Sequence, residues 1–179
     1  NILQQDILGR EYACSMGEDA LTKVGGNNDD IFYGMDSRLA VVSESNGEHN
    51  SVKEINVEAL KRITGEDVVS AQAKFKGKKE GVFKAKCVFM ANGMPKMPQD
   101  GGQRRRTIVA EMNVKMVNPD VWENLSDEEK ASGLFAVKDS AFIQRLRENR
   151  EGTLNWLLDG AKRFINNKTL SAPLAVLKY

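Results

Sequence analysis

The sequence predicts an α/β fold in which helices flank a parallel β-sheet, followed by a helical segment at the C-terminal end. Two short, almost continuous apolar runs, residues 39–43 and 87–91, are the main observation behind this fold class. Such runs are typical of strands buried on both faces, as in parallel sheets. Between them, residues 55–65 carry apolar side chains at helical spacing, with Asn56 placed to cap the helix and Gly65 to end it. A helix between two parallel strands is the pattern of an α/β domain.

Composition and charge are those of a soluble globular protein. The chain has 179 residues, of which 41% are apolar and 28% charged. Its formal net charge of +1 means that any affinity for nucleic acid must come from local basic clusters. No run approaches the roughly 18 apolar residues of a membrane helix, so we expect a protein of the cytoplasm with no membrane partner.

Cysteine and histidine usage excludes several kinds of site. Cys14 and Cys87 do not form a CxxC pair, and we expect two reduced thiols. His49 is the single histidine, which leaves neither a zinc site built on histidines nor a Ser-His-Asp triad.

The N-terminal part of the chain, residues 1–117, is predicted to be the sheet domain. Residues 2–8 have an amphipathic helical pattern that Gly9 ends. Residues 11–37 are poorly patterned, and the polar tract 25–30 is predicted to be a loop. Residues 107–110 are apolar and predicted to form a further strand.

Residues 118–179 are predicted to be a helical appendage joined by a linker at 118–122. Ser126 and Glu129 have the spacing of a capping box that opens a helix. A further helix is predicted from an apolar stripe at helical spacing, which comprises Leu154, Leu157, Leu158, Ala161, Phe164 and Ile165.

One polar residue follows each of the two apolar runs. Glu44 follows the first and Asn92 the second. Ligands of parallel sheets bind outside the carboxyl ends of the strands, where both side chains would project. A carboxylate beside a carboxamide can orient an attacking water and sense a phosphate. The alternatives are a surface glutamate after a buried strand and a turn residue in the dipeptide Asn-Gly.

A lysine-rich β-hairpin is predicted over residues 69–86, with its turn at 77–81. Alternation places lysines on one face and Phe75 and Phe83 on the other. This hairpin would either contact a nucleic-acid backbone, with Phe75 bracing it or stacking on a base, or be a solvated edge protected by lysines. Its candidate contacts are Lys74, Lys76, Lys78 and Lys79.

The order of these features resembles the superfamily 3 helicases, specifically the phage, plasmid and poxvirus primase–helicase branch. The matching stretches are VVSE at 41–44, LKRITGED at 60–67, MANGMP at 90–95, RRR at 104–106 and EGTLNWLLDG at 151–160. The chain departs from the family pattern where Glu66 stands for Gly, Ala91 for Thr and Arg104 for an aromatic residue. No GxxxxGK[ST] motif occurs, and the resemblance implies a P-loop immediately before residue 1.

The resemblance implies an AAA+-type P-loop NTPase core that hydrolyses ATP with Mg²⁺ between subunits of a homohexameric ring. Glu44 would polarise the attacking water or help to hold Mg²⁺, and Asn92 would sense the γ-phosphate. Arg105 or Arg106 would act as an arginine finger on the neighbouring subunit's nucleotide. The alternative for the two arginines is a solvated basic turn or a direct contact with nucleic-acid phosphate.

In this family the basic hairpin contacts single-stranded DNA in the central pore, which implies DNA contacts for the hairpin lysines and Phe75. Lys61 would be a further DNA contact or a surface lysine. The implied setting is DNA replication of a phage, virus or mobile element, with a fused or associated primase as a further partner.

Two other classes of function remain open from the residues alone. The chain could be a non-enzymatic nucleic-acid-binding or scaffold module with a helicase-like fold. It could also be an AAA+ ATPase that acts on protein, for which a lysine hairpin would be an unusual pore loop.

Overall fold

The computed structural model describes residues 2–23, 28–43, 54–91, 93, 95–96 and 106–170. The chain divides into two compact units, Asn1–Thr107 and Ile108–Tyr179. The sequence places the boundary ten residues later, after residue 117. Each unit is described by itself.

The first unit is a mixed α/β unit. Its elements in chain order are a π-helix (Leu3–Ile7), β1 (Ala13–Met16), α1 (Asp19–Thr22), α2 (Asn28–Gly34), β2 (Leu39–Ser43), α3 (Val57–Thr64), β3 (Val68–Gln72), β4 (Lys78–Val82) and β5 (Lys86–Met90). Strands β1, β2 and β5 form a parallel sheet with β2 in the centre. The predicted α/β class, with helices flanking a parallel sheet, is therefore confirmed.

Burial differs between the two strands that the sequence predicts. In β2 the central residues Ala40, Val41 and Val42 are buried. In β5, exposed and half-buried residues alternate, which means that one face of this strand is open to solvent. The expectation of a strand buried on both faces is correct for β2 and wrong for β5.

Helix α3 follows the predicted pattern closely. The Asn56 side chain accepts hydrogen bonds from the backbone N–H groups of Glu58 (2.9 Å) and Ala59 (3.1 Å), which satisfies two donors of the first turn. Gly65 lies at the C-cap. The apolar face packs into the core of the unit through Ala59, Leu60 and Ile63.

The poorly patterned segment 11–37 contains three elements that the sequence analysis missed, β1, α1 and α2. Helix α2 begins at Asn28, within the tract predicted to be a loop. Ile31 of α2 and Met35 after it belong to the buried core. Short helices of four and seven residues carry too few apolar positions to show a helical period.

Strands β3 and β4 form an antiparallel hairpin in which Val68 pairs with Val82 and Gln72 with Lys78. The hairpin itself confirms the prediction, but its turn covers residues 73–77 rather than 77–81. The Lys76 N–H closes this turn on the Ala73 carbonyl at 2.9 Å. The expectation that Phe75 shares a face with Phe83 is wrong, because Phe75 lies in the turn.

The second unit combines helices with a two-stranded parallel sheet. Its elements are β6 (Lys115–Val117), α4 (Pro119–Glu123), α5 (Asp127–Ala131), β7 (Phe135–Val137), α6 (Phe142–Glu148) and α7 (Arg150–Asn167). Two predictions are wrong here: residues 107–110 form no strand, and the expected linker at 118–122 is largely helix α4.

The capping box is confirmed. The Glu129 N–H donates to Ser126 Oγ at 3.2 Å, and the Ser126 N–H donates to Glu129 Oε2 at 2.8 Å. The long C-terminal helix is also confirmed as α7, and Asn149 caps it through the Gly152 N–H at 3.1 Å. No residue of α7 is buried, and Trp156 is 68% exposed.

Candidate functional site

The carboxyl ends of β2 and β5 lie side by side. Ser43, the last residue of β2, is the register partner of Met90, the last residue of β5. Glu44 directly follows Ser43, and Asn92 comes two residues after Met90. Both residues lie outside the described part of the chain, so their catalytic, nucleotide-binding and metal-binding roles stay predictions. The strand ends from which the two residues extend are adjacent in the sheet.

Of the two candidate arginine fingers, Arg105 lies outside the described residues and Arg106 lies beside the end of α3. The Arg106 guanidinium donates from Nη1 to Thr64 Oγ1 at 3.3 Å. Thr64 in turn donates to the Leu60 carbonyl at 2.7 Å. The exposed Arg106 is thus oriented by the C-terminal end of α3. Lys61 lies exposed on the same helix.

The turn of the hairpin presents an aromatic ring to solvent. Phe75 has a left-handed backbone with φ of 61° and is 93% exposed. The left-handed region is unfavourable for a bulky residue, which makes Phe75 an unusual choice for this position. Lys74 Nζ lies 5.2 Å from the centre of the Phe75 ring, within cation–π range. Lys76 follows and is also exposed. We call residues 74–76 the hairpin tip.

The two lysines of β4 have acidic partners. Lys78 Nζ lies 2.8 Å from Glu80 Oε1, and this contact holds the pKa of the Glu80 carboxyl below its usual value. Lys79 forms an ion pair with Asp36 and lies 5.4 Å from the centre of the Phe32 ring. The structure therefore separates the four candidate lysines into two at the tip and two paired in β4.

Helix α2 connects the hairpin to the parallel sheet. Asp29 Oδ1 accepts a hydrogen bond from the Lys74 N–H at 3.1 Å. Its neighbour Asp30 accepts from the Gly17 N–H at 2.8 Å, just after the carboxyl end of β1. Burial raises the pKa of Asp30, and the Gly17 hydrogen bond opposes this rise. Consecutive aspartates thus bind the hairpin on one side and the sheet edge on the other.

The sequence analysis missed the acidic residues that face the hairpin. Asp29 and Asp36 lie 45 and 43 residues from their partners Lys74 and Lys79. No local pattern connects residues at such separations. The one local signal is the pair Asp29-Asp30 itself, which is typical of the first turn of a helix.

Cys14 and Cys87 flank Ala40 in the centre of the parallel sheet, where both are register partners of that residue. Each lies one strand away from Ala40, so their Cα atoms are separated by about two strand spacings, roughly 9.5 Å. That separation is too long for a disulfide. Burial raises the pKa of Cys87 to about 12 and raises that of Cys14 as well. Both cysteines are free thiols, as predicted.

Among the described residues, no group of three or more His, Cys, Asp or Glu side chains could hold a metal ion. No helix within the described ranges is long and apolar enough to cross a membrane.

Comparison with known families identifies a family for this chain. The model of a family of unknown function, DUF5906, matches residues 2–106, more than half of the chain. The chain therefore belongs to this family. The matched region ends one residue before the end of the first compact unit. Among curated proteins, no match to the chain was found.

Proposed function

We propose that this DUF5906 chain is part of the motor of an ATP-dependent DNA helicase with an AAA+-type P-loop NTPase core. In the proposed assembly, a homohexameric ring hydrolyses ATP with Mg²⁺ between its subunits and moves single-stranded DNA through the ring. The proposed setting is replication of a phage, virus or mobile element in the host cytoplasm, with a fused or associated primase.

The observation that carries the proposal is the register of β2 against β5. Because Ser43 is paired with Met90, the two strands end at the same edge of the sheet. This is the edge at which open parallel α/β sheets bind their ligands. A glutamate after the central strand and an asparagine after its neighbour suit an in-line attack of water on a γ-phosphate.

The arginine and hairpin residues supply the remaining parts of the proposed motor. Arg106 stands exposed at the end of α3, where a guanidinium can reach a neighbouring subunit's nucleotide, and Arg105 precedes it. The hairpin tip offers cationic and aromatic groups together, which is the combination that binds single strands by backbone attraction and base stacking. Lysine binds phosphate through a point charge on a flexible side chain, which suits a contact that must shift from one phosphate to the next.

The test is ATP-dependent displacement of a strand from a forked DNA duplex by the intact gene product that contains this chain. Displacement by the wild type and its loss in Lys76→Ala would support the proposal. Lys138→Ala is the matched control, because Lys138 is an exposed lysine of the second unit. Single-strand binding without any displacement or ATP hydrolysis would favour the binding module instead.

A further inference from the structure

Asp36 is the ion-pair partner of Lys79. Lys79 forms its ion pair with Asp36, the second residue after α2, and its ammonium group also faces the Phe32 ring of that helix. The Lys79 side chain is only 31% exposed, whereas that of Asp36 is 73% exposed. The carboxylate therefore stands at the surface beside the lysine and adds negative charge where a phosphate would have to approach.

Lys78 has a weaker version of the same arrangement. It pairs with Glu80 two residues along β4, and both side chains are largely exposed. Side chains at positions i and i+2 of a strand lie on the same face, so the pair presents nearly zero net charge to a ligand on that face. In β4, therefore, each of the two lysines has one carboxylate partner.

The hairpin tip differs in its electrostatics. Lys74 is held through its backbone N–H by Asp29, which leaves its ammonium group beside the Phe75 ring. For Lys76 the structure gives no ion pair among the described residues. Positive charge and the exposed aromatic ring are thus concentrated in three consecutive residues.

We infer that the hairpin contacts nucleic acid through its tip alone. Asp36 limits this footprint, which is the set of hairpin lysines that bind phosphate, because it holds Lys79 in an ion pair. This inference rests on the proposed nucleic-acid function and refines its site. The hairpin of one subunit would then neutralise two phosphates, through Lys74 and Lys76, rather than four. Lys79 becomes an anchor that fixes the hairpin to α2.

Salt dependence counts the phosphates directly. For single strands, the slope of log Kobs against log salt concentration falls by about 0.7 for each phosphate neutralised. The experiment measures binding of a fluorescent oligothymidylate by the full chain, by anisotropy, over a series of salt concentrations. We expect Lys74→Ala and Lys76→Ala each to reduce the magnitude of the slope by about 0.7, and Lys78→Ala and Lys79→Ala to leave it unchanged.

Asp36→Asn is the decisive variant. It removes the carboxylate charge at an exposed position and should increase the magnitude of the slope by about 0.7, with tighter binding, because Lys79 becomes available to phosphate. The double variant Asp36→Asn/Lys79→Ala should return to the wild-type slope. Glu128→Gln on α5 is the matched control, because it makes the same change in net charge at an exposed position of the second unit.

The outcomes separate the footprint from the proposed function. The tip-only footprint is overturned if Lys79→Ala reduces the magnitude of the slope as much as Lys76→Ala does. It is also overturned if Asp36→Asn has the wild-type slope. Either result leaves the nucleic-acid function standing. Absence of salt-dependent binding by the wild type overturns the proposed function together with the footprint. Since Lys79→Ala also removes an anchor of the hairpin, unchanged circular dichroism is required of each variant.

Discussion

Gly34, the last residue of α2, lies directly against the ring of Phe83. A Cβ added at position 34 would overlap Cε2 and Cζ of that ring. Phe83 is buried and follows β4 immediately, so this contact fixes the base of the hairpin against the helix. With the Asp36–Lys79 ion pair and the Asp29–Lys74 hydrogen bond, it makes α2 and the hairpin one packed body.

Gly34→Ala should therefore destabilise the fold. Helix propensity favours alanine over glycine by up to about 1 kcal/mol, but the overlap with a buried ring forces overpacking that typically costs about 1–3 kcal/mol. We expect a lower midpoint in urea unfolding. Gly77→Ala is the control, since a Cβ at position 77 meets nothing within 4 Å. Equal stability of the two variants would contradict the close packing of Gly34 on Phe83.

Phe75→Gly should separate stability from binding. Glycine adopts the left-handed conformation without steric cost, so we expect the free energy of unfolding to rise by up to about 1 kcal/mol. Loss of the ring should weaken single-strand binding by about 1–3 kcal/mol, the usual range for one stacked base.

Phe75→Ala provides the comparison for this prediction. Alanine loses the ring but keeps the left-handed strain, so it should weaken binding as much as glycine does without the gain in stability. Chemical denaturation and anisotropy titrations measure the two effects separately. Unchanged affinity in both variants would mean that the ring does not contact the nucleic acid.

The β2 strand and helix α3 could be predicted from sequence because their signals are local. The apolar run at 39–43 marks β2, and Asn56 and Gly65 delimit α3. The attachment of α2 to the hairpin could not be predicted, because Asp36 and Lys79 meet only in the folded chain. The turn was misplaced because Gly77 and Gly81 suggest a turn, whereas the chain reverses around Phe75 in a conformation that phenylalanine rarely adopts.

The pairing of the candidate catalytic strands could be predicted in part. Apolar runs indicated β2 and β5, but their register and their order with β1 depend on contacts between distant segments. Glu44, Asn92 and Arg105 lie outside the described residues, so their proposed roles stay predictions. The second unit was the least predictable, since its short parallel pair β6–β7 joins segments twenty residues apart.

Cys87 should make stability sensitive to alkaline pH. Burial raises the pKa of the folded thiol from its ordinary value of 9.0 to about 12. The unfolded chain therefore loses this proton first, so the thiol's contribution is fully present below about pH 9 and is lost as pH rises towards 12. Each pH unit in that window costs up to about 1.4 kcal/mol.

The measurement compares urea unfolding of the wild type and Cys87→Ala at pH 8, 9 and 10. The difference in unfolding free energy between the two proteins should be constant below pH 9 and fall above it. Comparing the pair cancels the titration of tyrosines and lysines, which both proteins share. A difference that does not change with pH would contradict the burial of the thiol.

ATP hydrolysis by the intact gene product, with and without single-stranded DNA, tests the proposed motor most directly when it is measured beside Glu44→Gln. Glutamine keeps the size of the side chain and removes the carboxylate that would polarise the attacking water. We expect wild-type hydrolysis that rises with DNA, and a loss of at least about 100-fold in the variant, as is usual for removing a positioned general base. Hydrolysis by Glu44→Gln equal to that of the wild type would contradict the proposed role of Glu44 in an ATP-driven motor.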